Sequence, residues 1–432
     1  MAKKTIMLLR KLYTFFIILL SLSACSDDGN VLEGKEKEQN CPNILLIIAD
    51  DMGLDATPGY PEGTFKPAMP NLDNLASEGI TFDNAWAYPL CSPTRASILT
   101  GKYGFRTGIL SVDGSNISSS ETSIQSYLDK NTPSTYAHAV IGKWHLSKFN
   151  NLNAPNDLGI NHFAGYLQGA LNDYHNWTLV INGESKPCTE YHTTKLTDLS
   201  IDWIKQQTKP WFCWLAYSAP HTPLHYPPSI MHNQNEAEDS QLSMYLAMIE
   251  SIDYEIGRLF ETLDDNTIVM FVGDNGTDKN VLQLPYRGRK AKGSLFQGGI
   301  NIPLIISGKG VTRKNVRDEN LISTVDLFAT IADIAGSGIN SYHDSYSFKP
   351  LLSSETKGLR PYNYSEVDQG DGYRFAISDG TYKLISNNNM DDELYNLAID
   401  PYESIDLYNS TNTSDINAKL LLTEEANRIK SN

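Results

Sequence analysis

The stretch Asn43-Ile44-Leu45-Leu46-Ile47-Ile48-Ala49 runs without a break into Asp50-Asp51. A short apolar run of this kind reads as a strand buried on both faces. The two carboxylates end it. The same pattern recurs three times: Tyr136-Ala137-His138-Ala139-Val140-Ile141 runs into Gly142-Lys143-Trp144-His145. Trp211-Phe212-Cys213-Trp214-Leu215-Ala216-Tyr217 leads to Pro220-His221-Thr222-Pro223, and Thr267-Ile268-Val269-Met270-Phe271-Val272 ends at Gly273-Asp274-Asn275-Gly276. Helical patterns lie between these runs. Alternation of this kind predicts an α/β fold, a large mixed, mainly parallel sheet sandwiched by helices. Ligands in such sheets gather beyond the carboxyl ends of the strands. Four segments therefore deliver their polar residues to one edge.

A fifth stretch, Cys91-Ser92-Pro93-Thr94-Arg95, continues as Ala96-Ser97-Ile98-Leu99-Thr100-Gly101. Pro93 suits the first turn of a helix, where a missing N–H costs nothing. The helix expected over roughly Thr94–Thr100, with Gly101 as its stop, aims its positive end at position 91. That end attracts an anion.

Asp50, Asp51, Asp274 and Asn275 offer only oxygen ligands, a set that suits Ca²⁺ or Mg²⁺, not Zn²⁺. Clustered without a cation, the three carboxylates would repel one another. Arg95, Lys143 and Lys292 are the cationic groups expected around a bound anion. His145 and His221 titrate near neutrality and are the candidate acid and base. His225, four residues past His221, is expected either to touch substrate or to pack on Pro227 and Pro228.

These motifs together resemble the type I (formylglycine-dependent) sulfatase family of the alkaline-phosphatase-like superfamily. Cys-x-Pro-x-Arg at 91–95 is similar to the signature that a formylglycine-generating (sulfatase-maturing) enzyme reads when it oxidises the cysteine to 3-oxoalanine. Pro42–Gly53, Gly142–Leu146, Pro220–Pro223, Asp274–Gly276 and Lys292–Pro303 follow in the family's order. So does a tail with Arg374–Ile377, Tyr382–Ile385, Glu393–Leu397, Asp400-Pro401 and Glu403. The resemblance implies a smaller C-terminal antiparallel sheet subdomain packed by a terminal helix. It divides the chain into a catalytic domain over 41–350 and a subdomain over 351–432. It implies a cation held by Asp50, Asp51, Asp274, Asn275 and the modified residue 91. It also implies a catalytic set of Cys91, Arg95, Lys143, His145, His221, Asp274 and Lys292. One hydroxyl of the hydrated aldehyde would attack sulfur with Asp274 as base, and His221 or Lys292 would protonate the leaving oxygen. His145 would then deprotonate the second hydroxyl, which expels sulfate. Thr94, Ser147, Gln297 and Asn301 depart from the commoner family residues, and none of them is an expected ligand or catalytic group.

The 432 residues are 41% hydrophobic and 20% charged, an ordinary globular balance. Residues 1–24 form a lipoprotein-type signal peptide: Lys3, Lys4, Arg10 and Lys11 precede an apolar run over Tyr13–Leu22. Leu22-Ser23-Ala24-Cys25 resembles a lipobox, with Cys25 the lipidated (palmitate-bearing) residue and 25–40 a flexible tether. The expected location is the outer membrane of a Gram-negative bacterium, on the surface or the periplasmic side, with membrane contact through the lipid anchor only. Removing four positive charges takes the net charge from −16 to about −20, which argues against nucleic acid as a partner. With Cys25 and Cys91 modified, Cys41, Cys188 and Cys213 allow one disulfide at most. The expected substrate is a sulfated carbohydrate. His162, Asp173, His175, Trp177 and His192, in the polar segment 150–195, are candidate sugar contacts. Two other readings stand beside this one: a phosphonate or phosphodiester hydrolase of the same superfamily, and an inactive glycan-binding lipoprotein.

Overall fold

The computed structural model describes residues 41–370, 372–388 and 390–431. The signal segment, Cys25 and the whole tether lie outside the described residues. Ten strands form one sheet: β1 (Asn43–Ala49), β2 (Gly79–Trp86), β3 (Ala137–Lys143), β4 (His162–Tyr166) and β5 (Trp177–Ile181) come first along the chain. They are followed by β6 (Glu184–Cys188), β7 (Trp211–Ala216), β8 (Thr267–Gly273), β9 (Leu304–Gly308) and β10 (Val316–Ser323). Their order across the sheet is β10-β2-β9-β8-β1-β7-β3-β4-β5-β6. Only β5 and β9 run against the rest, because both neighbours of β9 and both neighbours of β5 pair antiparallel.

The apolar runs are central because both of their faces are covered. Every residue of β1 and of β8 is buried. One face of β1 (Ile44, Leu46, Ile48) joins a core that includes Ile98 and Phe328, and the other (Leu45, Ile47) joins a core with Ile249 and Ile252 of the helix Gln241–Phe260. Parallel register then aligns the strand ends. Ala49 lies beside Gly273, and Ile48 beside Ala216, so Asp50 and Asp274 leave adjacent strands at the same level.

A second, antiparallel sheet of four strands spans Asn363–Asp368, Tyr373–Ser378, Tyr382–Ser386 and Glu393–Asn396, and the helix Thr413–Ser431 covers it. Tyr364, Ile377 and Leu384 share a core with Tyr88, Tyr103 and Leu422, which joins this sheet to the large one. The described residues from 41 onward form one compact unit. Cys41, Cys188 and Cys213 are buried free thiols, so the one disulfide left open by their number is not formed. Among the described residues no helix is long and apolar enough to cross a membrane.

Candidate active site

The helix after β2 begins earlier than its sequence suggests. It spans Cys91–Thr100, which makes Cys91 its first residue and Pro93 its third. No N–H in the first turn has a partner within the helix, so proline is tolerated there as well as at the first position. Gly101 ends the helix at φ 68°, its N–H bonded to the Ser97 carbonyl. All ten residues are buried, and Cys91 therefore presents a helix N-terminus from inside the protein.

Each carboxylate gathered at the strand ends has its own basic partner. Arg95 Nη2 donates to Asp274 Oδ2 at 2.8 Å, and its Nη1 donates to the Lys143 carbonyl at 2.9 Å. Lys143 Nζ donates to Asp50 Oδ2. Lys292 Nζ lies 2.5 and 2.7 Å from the two oxygens of Asp51. The expectation of uncompensated repulsion among the aspartates is therefore corrected. The chain supplies its own counter-charges, although burial still favours protonation of one acid. Desolvation and the neighbouring Asp50 charge push the Asp274 carboxyl up to about 7 despite Arg95 and Lys143. Desolvation also opposes the charge on Asp50, but Lys143, with His221, Arg95 and Lys292, outweighs it and holds that carboxyl well below its usual range.

A divalent cation fits this donor set. Asp50 Oδ1 and Asn275 Oδ1 are buried and accept no hydrogen bond. Asn275 is turned so that its Nδ2 donates to Asp51 Oδ1 at 2.8 Å, which leaves its oxygen free. Ligand atoms of Asp50, Cys91 and Asp274 lie within 4.8 Å of one another, as do those of Asp50, Asp51 and His221. Oxygens left without donors in a buried acidic cluster are what a hard cation satisfies.

The two histidines occupy different sides of the site. His145 Nδ1 lies 3.2 Å from Cys91 Sγ. Burial, then Lys143 and Arg95, push its imidazole down to about 2, so it is neutral. His145 adopts φ 56°, and Ser92 Oγ holds its carbonyl at 2.9 Å. His221 Nδ1 lies 2.9 Å from the Thr222 carbonyl, which can only accept, so Nδ1 carries a proton. Its Nε2 faces Asp51 at 3.8 Å. Burial pushes the Cys91 thiol up despite Lys143 and Lys292, so an unmodified cysteine here is a poor nucleophile.

The structure brings together every residue proposed for the site: Asp50, Asp51, Cys91, Arg95, Lys143, His145, His221, Asp274, Asn275 and Lys292. It rejects some of the proposed sugar contacts. His192 is completely buried among Tyr166, Tyr174 and Trp177, with both ring nitrogens unpartnered. Trp177 is largely buried and its Nε1 donates to the Glu190 carbonyl, but it lines a cleft with Phe149, Asn172 and Asn176 and is not among the rejected contacts. His162 opens β4 at the end away from the site and stacks on Trp203. Asp173 and His175 are exposed and line a small cavity with His225. His225 bonds the Pro223 carbonyl and the Tyr191 hydroxyl, and the Tyr174 ring packs against it at a tilt, centroids 4.5 Å apart. Sequence reasoning missed the supports. Tyr245 donates to the Asp51 carbonyl at 2.7 Å, and Tyr174 donates to that of His221 at 2.7 Å. Neither residue carries a local signal, since each reads as part of an apolar face.

Residues 42–337 match the Sulfatase family, and residues 289–430 match the family described as N-sulphoglucosamine sulphohydrolase, C-terminal. The chain is 28% identical over 384 residues to the uncharacterized sulfatase YdeN of Escherichia coli (strain K12), covering 73% of this chain and 67% of that one. It is 30% identical over 337 residues to N-acetylgalactosamine-6-sulfatase of Homo sapiens, covering 68% and 62%. The chain thus spans about two thirds of the length of these relatives. The crystal structure of Ps i-CgsB in complex with k-i-k-neocarrahexaose superposes with a TM-score of 0.75 at 25% identity, over 89% of this chain and 92% of that one.

Proposed function

The chain belongs to the sulfatase family of the alkaline-phosphatase-like superfamily, a family of hydrolases, and on that premise we propose that it removes sulfate from a sulfated carbohydrate. The observation that carries this reading is the pairing of three acids with three bases around a residue at a buried helix N-terminus. With all three acids ionised the cluster is balanced in charge. Addition of a divalent cation leaves it with an excess of two positive charges, matched to an anionic ester.

Asp50, Asp51, Asp274 and Asn275 would hold Ca²⁺ in preference to Mg²⁺, a cation that supplies Lewis acidity when bound. Formylglycine at 91, formed from Cys91 by a maturing enzyme and then hydrated, supplies an oxygen nucleophile with a second hydroxyl for release of sulfate. The remaining work falls to the side chains around it. Asp274, within 4.8 Å of Cys91 and pushed up to about 7, is placed to take a proton at position 91. Arg95 holds Asp274 in position. Lys143 and Lys292, paired here with Asp50 and Asp51, would be free to donate to the ester oxygens with those carboxylates on a cation. His221 offers Nε2 to the leaving oxygen, because its Nδ1 is committed to Thr222. His145, neutral and 3.2 Å from position 91, removes the proton whose loss frees sulfate.

Two relatives support a sugar sulfate as the substrate class, one through its name, N-acetylgalactosamine-6-sulfatase, and one through its bound neocarrahexaose. The lipobox-like Leu22–Cys25 supports export and lipid anchoring at the outer membrane, and the mass of the processed N-terminus tests it. The decisive experiment compares protein made with and without a formylglycine-generating enzyme. Mass spectrometry reads position 91, and kcat/KM is measured on a sulfated sugar and its matched phosphate ester. Activity should follow the thiol-to-aldehyde conversion and favour sulfate. Full activity with position 91 entirely cysteine would sink the mechanism, and preference for phosphate would sink the substrate assignment.

A further inference from the structure

A cleft of about 380 Å³ lies beside His145, and none of the residues lining it carries a charge. It adjoins the site directly. Leu167 in its wall accepts the His145 N–H through its carbonyl at 3.2 Å. Gly169, in the same turn, sits so close that a Cβ there would lie 2.2 Å from the His145 ring. The lining includes Phe149, 68% exposed, together with the amides of Gln168, Asn172 and Asn176. Its volume falls within the roughly 300–1,000 Å³ typical of small-ligand sites.

An isolated exposed phenylalanine is ordinary. One that shares a cleft with three amides presents the two surfaces that a sugar ring requires. An aromatic face takes the C–H side of the ring, and amides both donate to and accept from hydroxyls. The charge pattern narrows the ligand further. Basic side chains gather at position 91 and none lines the cleft. A sulfate or carboxylate bound there would lose water without gaining a counter-charge. A second cavity of about 210 Å³ shares Asn172 but is lined by Asp173, His175 and His225, so only the larger one is uncharged.

We propose, resting on the reading of the adjoining centre as a sulfatase site, that this cleft binds an uncharged sugar unit next to the sulfated one. The preferred substrate is then an oligosaccharide with a neutral neighbour, rather than a monosaccharide sulfate or a densely sulfated chain.

The test uses the full-length, formylglycine-bearing protein and its Phe149→Ala variant, a change at an exposed position outside the catalytic set. Loss of ring stacking should lower kcat/KM roughly 3- to 10-fold on a sulfated oligosaccharide with a neutral neighbour. The value on nitrophenyl sulfate should stay unchanged. Titration of the desulfated oligosaccharide, followed by NMR, should show binding that weakens by a similar factor in the variant. Equal loss on both substrates, unaltered binding, or wild-type preference for a sulfated neighbour would each overturn the proposal. Failure of the sulfatase reading is distinguishable, because it appears as absent turnover of nitrophenyl sulfate whatever the binding result.

Discussion

Cys91 Sγ and His145 Nδ1 lie 3.2 Å apart, although 54 residues separate them in the chain. The first residue of a buried helix meets the residue just past the end of β3, and Ser92 Oγ ties the His145 carbonyl to that same helix turn. This contact separates His145 from His221, which faces Asp51 instead.

His145→Ala should slow release of sulfate from position 91 whatever the leaving group was. Loss of general-base assistance costs on the order of 10²–10⁴ in rate. Intact-mass analysis during turnover of nitrophenyl sulfate should find a sulfate adduct at position 91 in this variant. A variant that turns over at the wild-type rate without an adduct would refute the role.

His221→Ala should discriminate between leaving groups. A sugar alkoxide needs a proton in the transition state, whereas nitrophenolate leaves unaided. The ratio of kcat/KM on nitrophenyl sulfate to that on a sulfated sugar should rise by at least about tenfold. An unchanged ratio, with the adduct trapped here rather than in His145→Ala, would mean that the two roles are reversed.

Chelation should lower the melting temperature, and the gap to the Ca²⁺-loaded protein should widen from pH 4 to pH 7. In the metal-free site the Asp274 carboxyl is raised to about 7 from 3.8, so the folded state holds a proton that the unfolded chain has released. Its contribution is full below pH 3.8 and is lost as pH rises through 7, while bound metal adds stability by mass action. Thermal scans with and without chelator at several pH values measure the gap. A gap that narrows toward neutrality would contradict the assignment.

Glu366→Gln should flatten the pH dependence of stability between pH 4.5 and 7. This side chain accepts from the Phe105 N–H at 2.8 Å and the Tyr373 hydroxyl at 2.6 Å, with no basic partner among these contacts. Burial pushes its carboxyl up to about 7 from 4.5. Stability is therefore lost as pH rises through that window, by an amount on the order of 3 kcal/mol. Denaturant titrations of variant and wild type at pH 4.5 and 7.5 should show the difference only at the higher pH.

His192→Phe should stabilise the protein, increasingly so as pH falls below 6.5. Burial pushes the imidazole down to about 3 from 6.5, so stability falls as pH drops through 6.5 toward 3. Two unpartnered buried nitrogens also carry a desolvation penalty, and relief of about 1–3 kcal/mol is expected. An unchanged or lower denaturation midpoint at pH 5 would show that the aromatic cage needs the imidazole.

Much of this protein was legible one segment at a time. The runs ending at Asp50, His145, His221 and Asp274 announced buried strands, because such strands are uniformly apolar and stop where polarity begins. Cys91 announced itself through Pro93, Arg95 and the glycine at 101. The sugar-contact readings of His162 and His192 failed for the opposite reason. Histidine serves cores and surfaces alike, and only packing distinguishes the two.

The sequence by itself determined the parallel sheet, the edge on which the chemistry collects and the residue types gathered there, since hydrophobic periodicity and covalent order are local properties. Tertiary structure alone decided which base neutralises which acid, that Asp274 rather than Asp50 is driven toward its protonated form, and that Tyr245 and Tyr174 brace the loops. Those outcomes depend on burial and on distances of a few ångströms between groups up to 241 residues apart, as for Lys292 and Asp51. Coulomb and desolvation energies act through space, and the order of residues along the chain does not encode those distances.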